Sequence, residues 1–440
     1  MNELKTRVLE GVEARRDEIV ELCSTLIRTP SINPNYPGVD VGSVLGGETA
    51  CNEKLAELYQ GIGCQVDLWE AAPRRANLVG VLRGAGGGRS LIFNGHIDTV
   101  PVTQPDKWNF KDPFSGAVSD GRLYGRGACD MKTGVAAQFM AARTLVEAGA
   151  RLRGDLILES VVGEETMDHE LGTTATVRRG YRADAAIVSE PTAPPTPLAV
   201  VPVTPGLLWM SVTCLGKATH ASVRGELIRA GGRGAEVGVN AIEKGVFILN
   251  ALQRLEEQWG QTKSHPLFRP GHFTIHPGVI VGGPHGILIP FLVSEFCTIE
   301  YAVWYPPQAE VAAVKDEIEQ YVLDASRLDG WLRQNPPKIE WKLHWPPSRL
   351  DQSHPISLGC VAAHREVTGE TIEPAGRPRV HGFCAVCDAT FLNAAGIPSI
   401  VYGPGSLDVA HAVNEFVAVE EVITATKTYA LAALDWCGVA

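Results

Sequence analysis

Two kinds of hydrophobic pattern alternate along the first half of the chain. Apolar residues recur at helical spacing in residues 10–28, 49–59 and 131–148. Short, nearly continuous apolar runs lie between and after these segments, as is typical of buried strands: CQVDLWE, NLVGVLRG, SLIFNGHI, DLILESVV and ADAAIVSE. Strands that alternate with helices predict an α/β fold with a largely parallel sheet.

The pattern changes near Val200, where VVPVTPG is predicted to be a linker. Residues 206–346 then carry strand and helix patterns in the proportion of a small antiparallel α+β domain, and from His354 the earlier pattern resumes up to a closing helix that starts at Glu420. We therefore predict one domain formed by residues 1–205 and 347–440, interrupted by an inserted domain, residues 206–346.

Composition and charge exclude several classes of protein. The chain of 440 residues is 45% hydrophobic and carries a formal net charge of -11, which argues against a nucleic-acid partner because phosphate binding needs clustered Lys and Arg. Apolar runs stay well below the ~18 residues of a membrane span, and the charged amino terminus does not resemble a signal peptide. Its ten cysteines lack framework spacing. We expect a cytoplasmic protein without membrane contact.

Between Leu91 and Glu190, apolar runs end in imidazole and carboxylate side chains. Because side chains at the carboxyl ends of neighbouring parallel strands converge on one crevice, we expect these residues to meet there: His96, Asp98, Asp130, Glu164, Glu165 and Glu190. Such ligands without thiolate suit zinc, cobalt or manganese. Several carboxylates repel one another unless cations lie between them, so two metals are the simplest solution. His411 is the best later candidate for a second imidazole.

The positions of these residues suggest their roles. Asp98, two residues after His96, is expected to accept the second ring N–H of that imidazole and so to fix its tautomer. Asp130 has two carboxylate oxygens and can bridge two cations. Glu164 and Glu165 are adjacent and point to different sides of an extended backbone. We assign Glu165 to a metal and Glu164 to the role of general base.

Three further motifs are less specific. His220, in GKATHAS, lies in the insert and is either a structural histidine or a donor to the oxyanion of a tetrahedral intermediate. GAGGG, residues 84–88, joins two predicted strands and is interpreted as a hairpin turn instead of a phosphate loop. Cys384 and Cys387 form a CxxC without a second pair, which we interpret as small buried residues.

The ordered set GHIDTVP, GRLYGRGACDMKTG, GEE, SEPT, GKATHAS and GPG followed by AH and NE resembles the M20 family of metallopeptidases. The resemblance is strongest to its acetylornithine deacetylase and succinyl-diaminopimelate desuccinylase branch, and it covers nearly the whole chain. It implies two metal sites that share one aspartate: His96, Asp130 and Glu190, and Asp130, Glu165 and His411.

The same resemblance implies roles for three more residues. Glu164 would be the base, and Asp98 would orient the histidine ligand. The insert would be a lid that also dimerises, and His220 would reach the active site of the partner subunit. A dimer would then be required for activity.

Two positions depart from the family pattern. Cys387 stands where relatives often have Thr in a GGTDA-like stretch, although Asp388 is kept. Ala302 lies near the place where relatives that cleave N-acyl amino acids carry an Arg for the substrate carboxylate. Ala cannot replace a bidentate Arg. Either Arg377 or Arg379 compensates, or the substrate lacks that carboxylate.

We therefore predict a hydrolase with two divalent metal ions (Zn, Co or Mn) that removes a small N-acyl group from an amino acid or a related amine. The alternative raised by Ala302 is the same centre acting on a C–N bond outside amino acids, such as a formamide or an aryl amine. A third interpretation is a catalytically silent homologue that binds a ligand, against which the complete ligand set argues. The expected partners are a small amide substrate and a second subunit.

Overall fold

The computed structural model describes residues 1–284, 288–371 and 378–440. It divides into two compact units, the first formed by Met1–Thr204 and Ser348–Ala440 and the second by Pro205–Pro347. Each unit has its own apolar core. None of the helices in these described ranges is both long and apolar enough to cross a membrane.

The secondary structure of the described residues follows the chain in this order. The strands are β1 (Gln65–Ala72), β2 (Arg75–Leu82), β3 (Leu91–His96), β4 (Ala117–Ser119), β5 (Arg122–Tyr124), β6 (Leu156–Val161), β7 (Ala185–Val188), β8 (Val200–Val203), β9 (Gly206–Leu215), β10 (Thr219–His220), β11 (Ile275–Gly282), β12 (Leu292–Val293), β13 (Phe296–Tyr305), β14 (Lys338–Trp345), β15 (Val380–Gly382), β16 (Ser399–Val401) and β17 (Phe416–Ala418). The helices are α1 (Asn2–Ala14), α2 (Arg16–Ile27), α3 (Val41–Val44), α4 (Gly47–Gly61), α5 (Lys132–Glu147), α6 (Thr173–Arg178), α7 (Arg224–Ile228), α8 (Ala241–Thr262), α9 (Val311–Ser326), α10 (Pro355–Thr368), α11 (Ala389–Ala394) and α12 (Val419–Cys437).

The first unit is built on an eight-stranded sheet in the order β1-β2-β6-β3-β7-β16-β8-β15. Its central strands β6, β3, β7 and β16 run parallel, while β1, β2 and β6 pair antiparallel at one side. Successive residues of β3 alternate between two cores, because Leu91 and Phe93 pack on one face of the sheet and Ile92 packs on the other. The predicted α/β class with a mainly parallel central sheet is confirmed.

Two predicted connections are wrong. Val200–Val203 is not a linker but the buried strand β8, which pairs with β15 and β16. The GAGGG segment is not a hairpin turn, because β6 lies between β2 and β3. Its glycines allow close packing instead: a Cβ on Gly84 would lie 2.4 Å from the carbonyl oxygen of Arg153, and one on Gly88 would lie 2.1 Å from that of Cys437.

The second unit has a four-stranded antiparallel sheet in the order β11-β13-β9-β14. Alternate residues of β13 are buried, and the helices α8 and α9 contribute Leu252, Trp259 and Ile318 to the same core. Strand β13 places Ala302 opposite Trp209 on one side and opposite His276 on the other. This is the antiparallel α+β insert that the sequence pattern predicts.

Candidate active site

Strand ends and loops of the first unit bring six acidic and imidazole side chains together; we call them the acid–histidine cluster. His96 ends β3, Glu190 follows β7, and Asp130 precedes α5. Glu164 and Glu165 lie in the turn after β6, and His411 lies in the loop between β16 and β17. The parallel strands β3, β6 and β7 thus deliver these side chains at one edge of the sheet, as expected for an α/β fold.

Asp130 presents one carboxylate oxygen to each of two imidazoles. Its Oδ1 lies 3.0 Å from Nε2 of His96, and its Oδ2 lies 3.3 Å from Nε2 of His411. Each imidazole also faces a second carboxylate, since Nε2 of His96 is 3.5 Å from Oε1 of Glu190 and Nε2 of His411 is 3.1 Å from Oε2 of Glu165. The cluster therefore consists of two His–carboxylate groups joined through Asp130.

Glu164 lies at the same centre. Its Oε2 is 4.0 Å from Nε2 of His96, and ligand atoms of His96, Glu164 and Glu190 all fall within 4.8 Å of one another, as do those of His96, Asp130 and Glu165. These distances alone therefore do not decide whether Glu164 is a general base or a metal ligand.

The electrostatics of the cluster favour cations. Burial, together with the neighbouring Asp130, raises the pKa of Glu190 to about 8, and burial also raises the pKa values of Glu164 and Glu165. Burial opposes protonation of His411, but Asp130 and Glu165 outweigh it and raise the pKa of the imidazole. Buried carboxylates that repel one another, with imidazoles between them, form a donor set that fits two divalent cations.

Asp98 makes contacts other than the predicted one. The ring Nδ1 of His96 lies 3.0 Å from the main-chain oxygen of Asp98 and 3.7 Å from its carboxylate Oδ1. The carboxylate instead accepts hydrogen bonds from the side chain of Asn33 (2.8 Å) and from the backbone N–H groups of Gly163 (3.0 Å) and Glu165 (3.2 Å). Its main chain thus orients the imidazole, while its side chain holds the loop that carries the two adjacent glutamates.

The two cysteines of the CxxC pattern, Cys384 and Cys387, lie in the first unit. Cys387 is buried, and burial together with Glu190 raises the pKa of its thiol well above the ordinary value. Cys384 is partly buried, and its Sγ lies 3.1 Å from the main-chain oxygen of Pro194. None of the ten cysteines, all of which lie in the described ranges, forms a disulfide.

His220 belongs to the second unit and has an exposed side chain on β10, which pairs with β12. Its Nδ1 accepts a hydrogen bond from the backbone N–H of Ser222 at 3.2 Å and lies 2.7 Å from Oγ of the same serine. Because a backbone N–H can only donate, Nδ1 is the acceptor and Nε2 carries the proton of the neutral ring. The imidazole therefore presents an N–H donor.

Of the two arginines considered as binders of a substrate carboxylate, Arg377 lies outside the described residues. Arg379 is buried and fully used within the fold. Its Nε and Nη2 donate to Oε2 of Glu370 at 3.0 and 2.7 Å, and its Nη1 donates to the main-chain oxygens of Pro197 (3.1 Å) and Leu198 (3.0 Å). Its guanidinium therefore does not compensate for Ala302.

Sequence reasoning missed the buried residues Arg126 and Glu415, which contact the main chain of two cluster members. Both residues lie within quoted motifs, Arg126 in GRLYGRGACDMKTG and Glu415 in the NE dipeptide of the last motif, but neither was given a role. Nothing in the sequence connects that glutamate with an arginine 289 positions earlier.

Comparisons with known proteins identify the family of the chain. The model of peptidase family M20/M25/M40 matches residues 92–435. Two curated relatives are named N-formyl-4-amino-5-aminomethyl-2-methylpyrimidine deformylase. The one from Halalkalibacterium halodurans is 34% identical over 98% of this chain and 97% of its own. The one from Bacillus subtilis is 35% identical over 97% of this chain and 96% of its own.

More distant matches share the fold. An acetylornithine deacetylase of Vibrio cholerae is 26% identical over 95% of this chain and 98% of its own. Human carnosine dipeptidase 1 superposes with a TM-score of 0.71 at 17% identity, covering 99% of both chains. The YXEP protein of Bacillus subtilis, described as a dinuclear metal binding peptidase of the M20 family, has a TM-score of 0.63 at 14% identity and covers 96% of this chain and 98% of its own.

Proposed function

The chain belongs to peptidase family M20/M25/M40 and is a hydrolase of amide bonds, and we propose that it removes a formyl group from a primary amine attached to a heteroaromatic ring. The reaction is hydrolysis of a formamide to formate and the free amine. This is the formamide alternative that the sequence raised.

The observation that supports a formamide substrate is that the guanidinium of Arg379 is hydrogen-bonded within the fold. An enzyme that cleaves N-acyl amino acids benefits from a bidentate Arg at the substrate carboxylate. Here Ala302 lies on β13, near the place where the resemblance expects that Arg, and the guanidinium of Arg379 is held by Glu370 and two carbonyl groups. A substrate without a carboxylate agrees with both observations and with the names of the two deformylase relatives.

We assign two divalent metal ions to the acid–histidine cluster. His96, Asp130 and Glu190 would hold the first, and Asp130, Glu165 and His411 would hold the second. Zinc, cobalt and manganese all suit this donor set. When bound, such ions polarise the carbonyl group and make the attacking water more acidic.

Glu164 is assigned the proton transfers. It takes a proton from the water that attacks the formyl carbon and gives it to the nitrogen as the C–N bond breaks. Its burial, with Glu190 nearby, raises its pKa, which suits a group that must both accept and donate a proton near neutral pH.

His220 is assigned to the oxyanion, because its Nε2 carries a donor hydrogen. In this proposal the imidazole serves the active site of a partner subunit. The edge strand β11 supports such a dimer, since its consecutive residues Val279, Ile280 and Val281 are each about half exposed. An apolar edge of this kind is a template for antiparallel pairing with a second copy. A cytoplasmic location stays a prediction, in keeping with ten cysteines that form no disulfide.

The test is a matched set of amides offered to the Zn²⁺- or Mn²⁺-loaded protein. N-formyl and N-acetyl forms of an aminomethylpyrimidine are compared with N-formyl and N-acetyl forms of ornithine, and the released amine and acid are both quantified. We expect kcat/KM for the formyl pyrimidine to exceed that for the acetyl amino acid at least 100-fold. A preference for the N-acyl amino acids would overturn the substrate assignment and leave an amino-acid deacylase.

A second experiment separates base from ligand at Glu164. Glu164→Gln should retain two metals per chain and lose about 10²–10⁴-fold in kcat, the contribution of general acid–base catalysis. Glu190→Gln, its matched control at the same centre, should lose metal as well as turnover. Loss of metal from Glu164→Gln would make Glu164 a ligand, in conflict with the assignment.

A further inference from the structure

Two members of the acid–histidine cluster are carried by loops. Asp130 precedes α5, and His411 lies between β16 and β17. His411 is about half exposed and adopts a left-handed backbone conformation, with φ of 61°, which a non-glycine residue seldom adopts without support from its neighbours. Something must hold these two loops at a separation that suits a shared metal.

Glu415 binds the loop of Asp130. Its Oε1 accepts hydrogen bonds from the backbone N–H groups of Cys129, at 2.9 Å, and of Asp130, at 3.2 Å. Its own main-chain oxygen accepts from the N–H of Gly125 at 3.0 Å. The glutamate therefore contacts both ends of the segment that leads into the bridging aspartate.

Arg126 binds the loop of His411. Its Nη1 donates to Oε2 of Glu415, and its Nη2 donates to the main-chain oxygen of His411 at 3.1 Å. The side chains of Arg126 and Glu415 are 1% and 0% exposed. Arg126 itself lies in the loop that leads to Asp130, so this buried planar fork joins that loop to two residues of the loop of His411.

We propose that Arg126 and Glu415 form a positioning pair that sets the second metal site, formed by Asp130, Glu165 and His411. The pair forms hydrogen bonds with the main chain of two of the three ligands of this site, Asp130 and His411. Of the three ligands of the first site, the pair touches only the shared Asp130, through Glu415, and neither His96 nor Glu190 among the described hydrogen bonds, so the first site keeps these two ligands when the pair is lost. This inference rests on the metal roles in the proposed function.

The test is metal binding by Arg126→Met, measured by equilibrium dialysis against buffered Zn²⁺ with the bound metal quantified by mass spectrometry. Catalytic activity is not needed for this readout. We expect the first metal to bind within about threefold of the unmodified protein and the second to bind about 10–100-fold more weakly, as for other changes behind a metal ligand. Arg126→Lys, a milder change, keeps the charge beside Glu415 but lacks the fork that reaches His411, and an intermediate weakening is expected.

Arg75→Met is the matched control. Arg75 and Glu48 form another buried Arg–Glu pair in the same unit, with two contacts of 2.6 Å that join β2 to α4. Its loss should lower the melting temperature as loss of Arg126 does, yet leave two metals bound with unchanged affinity.

The outcomes separate the two proposals. Fewer than two metals in the unmodified protein would overturn the metal roles of the proposed function. Two metals there, with unchanged second-site affinity in Arg126→Met and Arg126→Lys, would overturn the positioning pair alone. Equal weakening in Arg75→Met would also overturn it, because the effect would then follow from stability and not from position. If Arg126→Met does not fold, Arg126→Lys decides between these results.

Discussion

Replacing Asp98 by Asn tests whether this carboxylate acts through the loop of the adjacent glutamates or through the imidazole of His96. Oδ1 of Asp98 accepts a hydrogen bond from the backbone N–H of Gly163. Its Oδ2 accepts hydrogen bonds from the side-chain amide of Asn33 and from the backbone N–H of Glu165. An amide has one oxygen. In Asp98→Asn at least one backbone donor therefore faces an NH₂ group, whereas the main-chain contact with His96 at 3.0 Å is kept.

The magnitude follows from these contacts. A hydrogen bond to a charged group contributes roughly 1.5–3 kcal/mol, and an orphaned buried donor adds a penalty of similar size. We expect Asp98→Asn to reduce the free energy of unfolding by about 2–4 kcal/mol. Displacement of the loop by about 1 Å should also reduce kcat roughly 100-fold. Asn33→Ala, which leaves both backbone donors on the carboxylate, should cost about 1.5–3 kcal/mol for its one hydrogen bond to this charged group but should not cause the 100-fold loss of kcat.

The assay is a double-mutant cycle on the affinity of the second metal, combined with urea denaturation. If Asp98 acts through the loop, the effects of Asp98→Asn and Glu165→Gln on that affinity overlap and do not add. Additive effects, or a selective loss of the first metal from Asp98→Asn, would refute the loop mechanism and restore the predicted contact with His96.

Three other predictions concern stability and assembly. Burial, and then Arg379, lowers the pKa of His364 to about 3, so the unfolded chain takes up a proton below about pH 6.5 that the folded protein refuses, and stability is lost as the pH falls. The variant His364→Asn keeps a polar partner for the hydroxyl of Tyr402 and has no group that titrates in this range. Between pH 7 and pH 5 its free energy of unfolding, measured with urea at both values, should fall by about 2 kcal/mol less than that of the unmodified protein. An equal fall in both proteins would contradict a neutral buried imidazole. Gly134→Ala should destabilise the protein by about 1–3 kcal/mol, because its Cβ would lie 2.5 Å from the main-chain oxygen of Ser189. Gly260→Ala, at a helical position with open space around it, should stabilise the protein by up to about 1 kcal/mol. Thermal melts that rank the two variants the other way would refute the packing argument. Val281→Lys places a charge on the exposed edge strand β11 and should convert a dimer to a monomer in sedimentation experiments and reduce turnover. If the variant remains a dimer, the subunits pair through another surface.

The class of the fold, the family and the chemistry of the cluster could be predicted from the chain because their signals are local. The apolar runs that end at His96 and Val188 become buried parallel strands, since burial on both faces requires continuous apolar residues. The ligand types at these strand ends indicated a hydrolase that uses divalent metals, and the family match confirms the hydrolase. The roles of the individual ligands stay predictions.

Contacts between distant segments required the tertiary structure. β6 pairs between β2 and β3, although the GAGGG segment between these strands suggested a hairpin. The short run at Val200–Val203 contains a proline, yet it joins the sheet. Periodicity reports which residues are buried, but it does not report which strand lies beside which.

The same reason explains the polar contacts around the site. Asp98 was expected beside the imidazole of His96 because the two are neighbours in sequence, but its carboxylate finds better donors in backbone N–H groups 65 and 67 positions away. Arg379 looked available for a substrate until packing placed Glu370 and two carbonyl groups around it. A buried polar side chain bonds with whatever donors and acceptors the fold brings to it, and that choice is made by packing across the whole first unit and not by spacing along the chain.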